Sequence, residues 1–152
     1  VNYYSRDIIA FNPANPVRMT SVKEGAPVND LGWEIFPEGL YKICSRYYRR
    51  FGKTIFITEN GTCDAGDGFR PRFIYDHLYQ VKRLIDDGID VRGYFHWTLM
   101  DNFEWAEGLS APFGLAAVDF VSQKRRVRAS GKFYGEIAKT RSVTAPMIKK
   151  YL

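Results

Sequence analysis

Lys53-Thr-Ile-Phe-Ile-Thr-Glu-Asn-Gly61 is an apolar run of β-branched and aromatic residues that stops on a carboxylate, an amide and a glycine. Thr54 to Glu59 reads as a short strand, since such residues fit a pleated, buried surface. On its N-terminal side, Leu40, Ile43, Cys44, Tyr47 and Phe51 recur at the helical period and the pattern ends at Gly52. On its C-terminal side, Phe73, Ile74, Leu78, Val81, Leu84 and Ile85 do the same and stop at Gly88, before a further strand pattern at Val91 to Trp97. With Val1 to Tyr4 as an earlier strand, the order contains two consecutive crossover units, which imply a parallel sheet or a barrel.

Ser5 to Trp33 is rich in Asn, Pro and Gly and reads as a long loop, a class that often carries function in compact domains. Phe113 to Phe120 and Arg125 to Arg128 flank Val-Ser-Gln-Lys, which suggests a hairpin. Ser130 is the expected N-cap of a last helix with Phe133, Tyr134 and Ile137 on one side. No repeat, low-complexity tract or linker divides the chain.

The 152 residues are 45% hydrophobic and 26% charged, ordinary values for one globular domain. Aromatic residues make up 16%, enough for either a large core or a site that stacks flat ligands such as sugar rings. The net charge of +5 collects at Arg49-Arg50, Lys124 to Arg128 and Lys149-Lys150. No base-reading or stacking motif accompanies these clusters, so they read as solvated surface and no nucleic-acid partner is expected. Cys44 falls in a helical apolar stripe and is expected in the core, while Cys63 is expected as a free loop thiol. The two cysteines make neither a metal spacing nor a disulfide framework. No apolar run approaches the roughly 18 residues of a membrane helix, and Val1 to Arg6 does not resemble a signal peptide. No membrane partner and a cytoplasmic location are therefore expected, with an upstream signal left open.

An α/β barrel places its working residues where the strands stop, and here those positions are Tyr4, Glu59 and Trp97. A carboxylate at the end of a hydrophobic strand is costly to desolvate and has partners or a task. Taken alone, Glu59 reads equally well as a capping or salt-bridge residue, and Trp97 and Trp105 as core.

Three features change that balance: Asn2-Tyr3-Tyr4, Thr58-Glu59-Asn60-Gly61, and the run Gly93 to Leu115 with Asp101-Asn-Phe-Glu-Trp105 at its centre. With Gly32 to Leu40, Arg70, His77-Leu78 and Asp87-Gly88-Ile89, they occur in an order that closely resembles the end of glycoside hydrolase family 1, the β-glucosidase and β-galactosidase group. The resemblance runs from Val1 to about Tyr134. It implies an α/β fold, the C-terminal part (strands 6 to 8) of a (β/α)8 TIM barrel, with residues 1–152 forming a portion of one glycosidase domain and not an independent domain.

The resemblance further implies a retaining β-glycosidase that needs no metal and no cofactor, because two carboxylates suffice for the chemistry. Glu59 would attack the anomeric carbon and form a covalent glycosyl-enzyme, with Tyr4 hydrogen-bonded beside it. Trp97 would form the platform under the sugar, Glu104 would accept from its outer hydroxyls, and Trp105 would be a neighbouring indole donor. Phe113 matches a nearby aromatic and reads equally as core. Glu104 would repel a sugar phosphate, so an unphosphorylated β-D-glycoside is the expected substrate.

Two departures from the family pattern occur. Gly108 to Gly114 lacks the usual Gly-Tyr-x-x-Arg-Phe-Gly, and Thr62 to Gly68 is short. The family's Thr-x-Asn-Glu-Pro segment, which carries the general acid/base, is absent; Asn12-Pro13 and Asn15-Pro16 lack the Glu. A barrel of this type takes about 250 residues. The expected partner is therefore an upstream N-terminal portion of the barrel, without which the chain would be inactive. The rival reading is a non-catalytic partial barrel that binds sugar or protein, the product of a truncated gene.

Overall fold

The computed structural model describes residues 1–9, 14, 19–20 and 23–152. Its elements, in chain order, are β1 (Ile8–Ile9), β2 (Met19–Thr20), α1 (Pro37–Phe51), β3 (Ile55–Asn60), α2 (Arg70–Asp86), β4 (Val91–His96), β5 (Ala116–Val118), β6 (Arg125–Val127), α3 (Ala129–Thr140) and α4 (Ala145–Tyr151).

β3 pairs with β4 in parallel, Phe56 opposite Gly93 and Ile57 opposite Tyr94. On its other side β3 holds the first residues of the chain. Asn2 bridges Glu59 in parallel, with Thr58 N–H donating to Val1 O at 2.9 Å and Tyr3 N–H to Glu59 O at 3.0 Å. The strand expected over Val1 to Tyr4 is thus a single bridge, but three parallel segments do lie side by side with β3 in the middle. α1 and α2 are the two crossovers.

Side chains alternate across β3 because successive residues of a strand face opposite ways. Ile55 and Ile57 are buried with Leu40 and Cys44 of α1, Val81 and Leu84 of α2, and Ile89. Phe56 points to the opposite face, as does Phe95 of β4, and these two rings are 48% and 56% exposed. A β-carbon added at Gly93 would lie 2.9 Å from one and 3.0 Å from the other, so the three positions share that face. One side of the sheet is covered by helices while the other presents open aromatic surface.

A second cluster joins α2, α3 and α4 through Ile74, Leu115, Phe133 and Met147. The hairpin is present as β5 and β6, in antiparallel register with Ala117 opposite Arg126.

Three expectations need correction. Ser130 is not the N-cap: α3 begins at Ala129 with Arg128 in the cap position. Ser130 is fully buried in the first turn, where its N–H and hydroxyl donate to Asp67 at 2.9 and 2.5 Å. A carboxylate 63 residues upstream supplies the acceptor that a local cap would otherwise provide. The loop over Ser5 to Trp33 contains the two-residue strands β1 and β2, paired antiparallel, and parts of that expectation at 10–13, 15–18 and 21–22 lie outside the described residues, Asn12-Pro13 and Asn15-Pro16 among them. α4 lies beyond the last expected helix; Met147 anchors it and the Tyr151 ring packs on Phe133 at 5.2 Å between centroids.

Among the described residues, no helix is long and apolar enough to cross a membrane.

Candidate active site

The parallel arrangement carries Tyr4, Glu59 and Trp97 to one end of the sheet, because each follows or ends a strand segment running in the same direction. Glu59 is the penultimate residue of β3. The Tyr4 hydroxyl donates to its Oε2 at 2.7 Å. Burial above all, then the hydrogen bond to Glu59 and the negative charges of Glu59 and Glu104, push the Tyr4 phenol well above its ordinary value. It therefore stays protonated and serves as a donor. Oε1 of Glu59 takes no hydrogen bond from the described residues, which leaves one carboxylate oxygen for a ligand.

Gly61 explains how the neighbouring segment comes so close. A β-carbon there would lie 1.8 Å from the carbonyl oxygen of Trp97, so only glycine allows the chain after β4 to lie against the end of β3. Trp97 N–H donates to Asn60 O at 2.9 Å, and the Trp97 indole Nε1–H donates to Glu104 Oε1 at 2.9 Å. Burial raises the Glu104 carboxyl above its usual range; the Trp97 hydrogen bond opposes that, and the charge of Glu59 adds to it. Glu59, Tyr4 and Glu104 thus act on one another electrostatically.

The loop that presents Glu104 is held from below. Asp101 is buried and accepts from Gly114 N–H at 2.8 Å and from both terminal nitrogens of Arg128 at 2.8 and 2.9 Å. This two-pronged pair, nearly removed from water, is a charge-assisted clamp between the loop and the start of α3.

The other two expected sugar-binding residues differ in exposure. Phe113 is buried, packed with Cys63 and Ala111 beneath Tyr4 and Trp97, with its ring centroid 6.4 Å from Tyr4 and 5.9 Å from Trp33. It supports the site from behind and offers no face to a ligand. Trp105 opens a short 3₁₀ turn at a left-handed backbone angle and is 82% exposed, turned to solvent with no ring partner among the described residues.

Trp33, within the matched stretch Gly32 to Leu40, is a further aromatic residue beside Tyr4 and Phe113. Its ring stands edge-on to Tyr4 at 6.2 Å. Nothing in its local spacing distinguishes it from a core residue. Cys63 is unpaired and in a loop, as expected, but the loop is folded inward and the thiol is buried. Beneath the site, α2 opens with the fully buried Arg70, whose guanidinium donates to Asp67 and to the carbonyls of Asp64 and Pro112.

A half-buried carboxylate oriented by a phenol, beside an indole locked to a second carboxylate, can bind hydroxyls and offer an oxygen nucleophile to an electrophilic carbon. Among the described residues, no group of three or more His, Cys, Asp and Glu side chains is arranged for a metal ion.

Comparison with known proteins gives the arrangement its context. The model of glycosyl hydrolase family 1 matches residues 1–143. A β-galactosidase of Saccharolobus solfataricus is 40% identical over 95% of this chain and 32% of its own length. A 1,4-β-D-glucan glucohydrolase of Thermotoga neapolitana is 38% identical over 95% of this chain and 35% of its own length. Among solved structures, a β-glycosidase from Pyrococcus horikoshii superposes with a TM-score of 0.88 at 37% identity, over 99% of this chain and 36% of that one. A β-glucosidase from Thermotoga maritima, solved with a substituted glucoimidazole, has a TM-score of 0.88 at 36% identity, over 94% and 35%. These structural neighbours are TIM barrels, and the chain spans about a third of the length of the relatives it matches. A match over nearly the whole chain, with relatives near 40% identity, has one consequence: the chain belongs to glycosyl hydrolase family 1.

Proposed function

We propose that this chain supplies the nucleophile half of a retaining β-glycosidase, acting on unphosphorylated β-D-glycosides through a covalent glycosyl-enzyme on Glu59. The observation that carries the reading is the 2.7 Å hydrogen bond from Tyr4 to Glu59 at the ends of parallel segments, with Oε1 left for the sugar. The relatives' names, β-galactosidase and glucan glucohydrolase, support the reaction class. Trp97 and Glu104 form the sugar-facing wall, stacking against an apolar sugar face and accepting from hydroxyls respectively.

In this reading residues 1–152 correspond to strands 6 to 8 of the barrel. A retaining enzyme needs a second carboxyl roughly 5 to 5.5 Å from the nucleophile to protonate the leaving oxygen and then activate water. The chain has no Thr-x-Asn-Glu-Pro segment to provide it. An upstream barrel portion supplies that group and covers the open face at Phe56 and Phe95, completing a dry inner core.

The test is to combine the chain with the N-terminal complement of the barrel and assay an aryl β-glucoside. The pair hydrolyses it, the chain alone does not, and Glu59→Gln lowers kcat by about 10³-fold or more. Equal turnover by the Glu59→Gln pair removes Glu59 from the role. A chain that binds glucose but never gains activity with its complement favours the non-catalytic partial barrel.

A further inference from the structure

Asn60 follows the proposed nucleophile and is completely buried. A buried primary amide must find partners for both its ends. Asn60 does so with residues from two other segments. Its Nδ2 donates to the carbonyl of Tyr3 at 2.7 Å, and its Oδ1 accepts from the Tyr94 hydroxyl at 2.6 Å. The orientation of the amide follows from the partners, because a carbonyl can only accept. Its backbone carbonyl accepts from Trp97 N–H at 2.9 Å.

Each bond lands close to a residue of the site. Tyr3 precedes Tyr4, Trp97 is itself the indole bonded to Glu104, and Asn60 is joined covalently to Glu59. Tyr94 is in turn tied down, packed against the Tyr134 ring and with its carbonyl accepting from the Tyr134 hydroxyl at 3.1 Å. One buried side chain therefore joins the backbone bond from Tyr3 N–H to Glu59 O in holding the segment that carries Tyr4 against the strand that carries Glu59. Among the described residues, the backbone bonds that align these two segments run from the Val1 amine on Phe56 O at 2.7 Å to Tyr3 N–H on Glu59 O at 3.0 Å and stop short of Tyr4, so the ladder ends one residue before the phenol that has to be placed.

We infer that Asn60 is a positioning residue for the glycosyl-transfer step, holding the Tyr4 hydroxyl on Glu59 through its bond to the Tyr3 carbonyl, with Tyr94 as the strut that fixes the amide. This rests on the reading of Glu59 as nucleophile. Misplacement of a reacting group by about 1 Å costs on the order of 10²-fold in rate, whereas the sugar wall at Trp97 and Glu104 keeps its own contacts. The effect belongs in kcat and not in KM.

The experiment uses the complete enzyme, this chain with its upstream portion, in four pairs: Asn60→Ala and Tyr94→Phe, each with Tyr4 present and with Tyr4→Phe. A slow 2-deoxy-2-fluoro-β-glucoside first marks the nucleophile by mass spectrometry. Label on Glu59 supports the underlying reading, while label elsewhere overturns both readings. With the label on Glu59, Asn60→Ala lowers kcat and the labelling rate by about 10²-fold and Tyr94→Phe by about tenfold, with KM within about twofold. In the Tyr4→Phe background either change costs less than about twofold, because the group being positioned is gone. Should Asn60→Ala fail to fold, Tyr94→Phe removes a single oxygen and decides the matter. An equal loss in both backgrounds, no loss in either, or a change confined to KM overturns the role of Asn60 and leaves Glu59 untouched.

Discussion

The Asp67 carboxylate and Ser130 meet across 63 residues of chain, with the Ser130 N–H at 2.9 Å and its hydroxyl at 2.5 Å. Asp67 also pairs with the fully buried guanidinium of Arg70. A loop residue at a left-handed backbone angle thus caps α3 and neutralises a buried cation at the start of α2. Removing one member of a buried pair leaves an uncompensated charge, at a cost of about 3–5 kcal/mol. Asp67→Ala is therefore expected to lower stability by about that much in a urea titration, and Asp67→Asn, which keeps an acceptor, by less. A wild-type midpoint for Asp67→Ala would remove this pairing from the account of stability.

Glu104 is tied to the Trp97 indole at 2.9 Å, and its charge is what distinguishes it from an amide of the same shape. Glu104→Gln keeps an acceptor for the indole but weakens hydrogen bonds to sugar hydroxyls, so KM for an aryl β-glucoside is expected to rise about tenfold in the complete enzyme. Glu104→Ala also frees Trp97 and is expected to cost more. Steady-state kinetics that leave KM unchanged in both would exclude Glu104 as a sugar ligand.

His77 and His96 give the protein a defined acid sensitivity. Burial holds His77 down to about 4 and His96 to about 3, the latter with help from the charges of Arg70 and His77. Unfolded histidine titrates near 6.5. Between about pH 4 and 6.5 the unfolded chain therefore binds protons that the folded chain refuses. Stability is fully present above about 6.5 and declines as pH falls through this window, by about 1.4 kcal/mol per pH unit for each histidine. His77→Gln is expected to halve that slope in denaturant titrations at a series of pH values. An unchanged slope would mean that His77 charges without opening the fold.

Both thiols are inert by placement. Burial raises Cys44 and Cys63 to about 11, so almost no thiolate exists at neutral pH, and neither sulfur is open to reagent. Iodoacetamide at pH 8 is expected to leave both unmodified in the folded protein and to alkylate both in urea, as counted by mass. Rapid modification of Cys63 without denaturant would show that the loop over Phe113 opens.

Much of the architecture was legible because it is written in local periods. The crossover helices, the strands at β3 and β4 and the β5–β6 hairpin follow from apolar spacing and turn residues, which depend on neighbours a few positions away. The family resemblance came from short motifs in a fixed order, and the family match bears it out. Glu59 at a strand end was likewise readable, since a carboxylate closing an apolar run is conspicuous in any register.

The tertiary structure decided what those residues touch. Phe113 and Trp105 are both aromatic residues in the same loop region, yet one is sealed beneath Tyr4 and Trp33 and the other faces water. Ser130 has the composition of an N-cap and is instead capped by Asp67. Asn60 looked like a motif letter and proves to be a buried link among three segments. Composition and periodicity report on neighbours along the chain, whereas these contacts join residues dozens of positions apart and exist only once the parallel segments have been brought together.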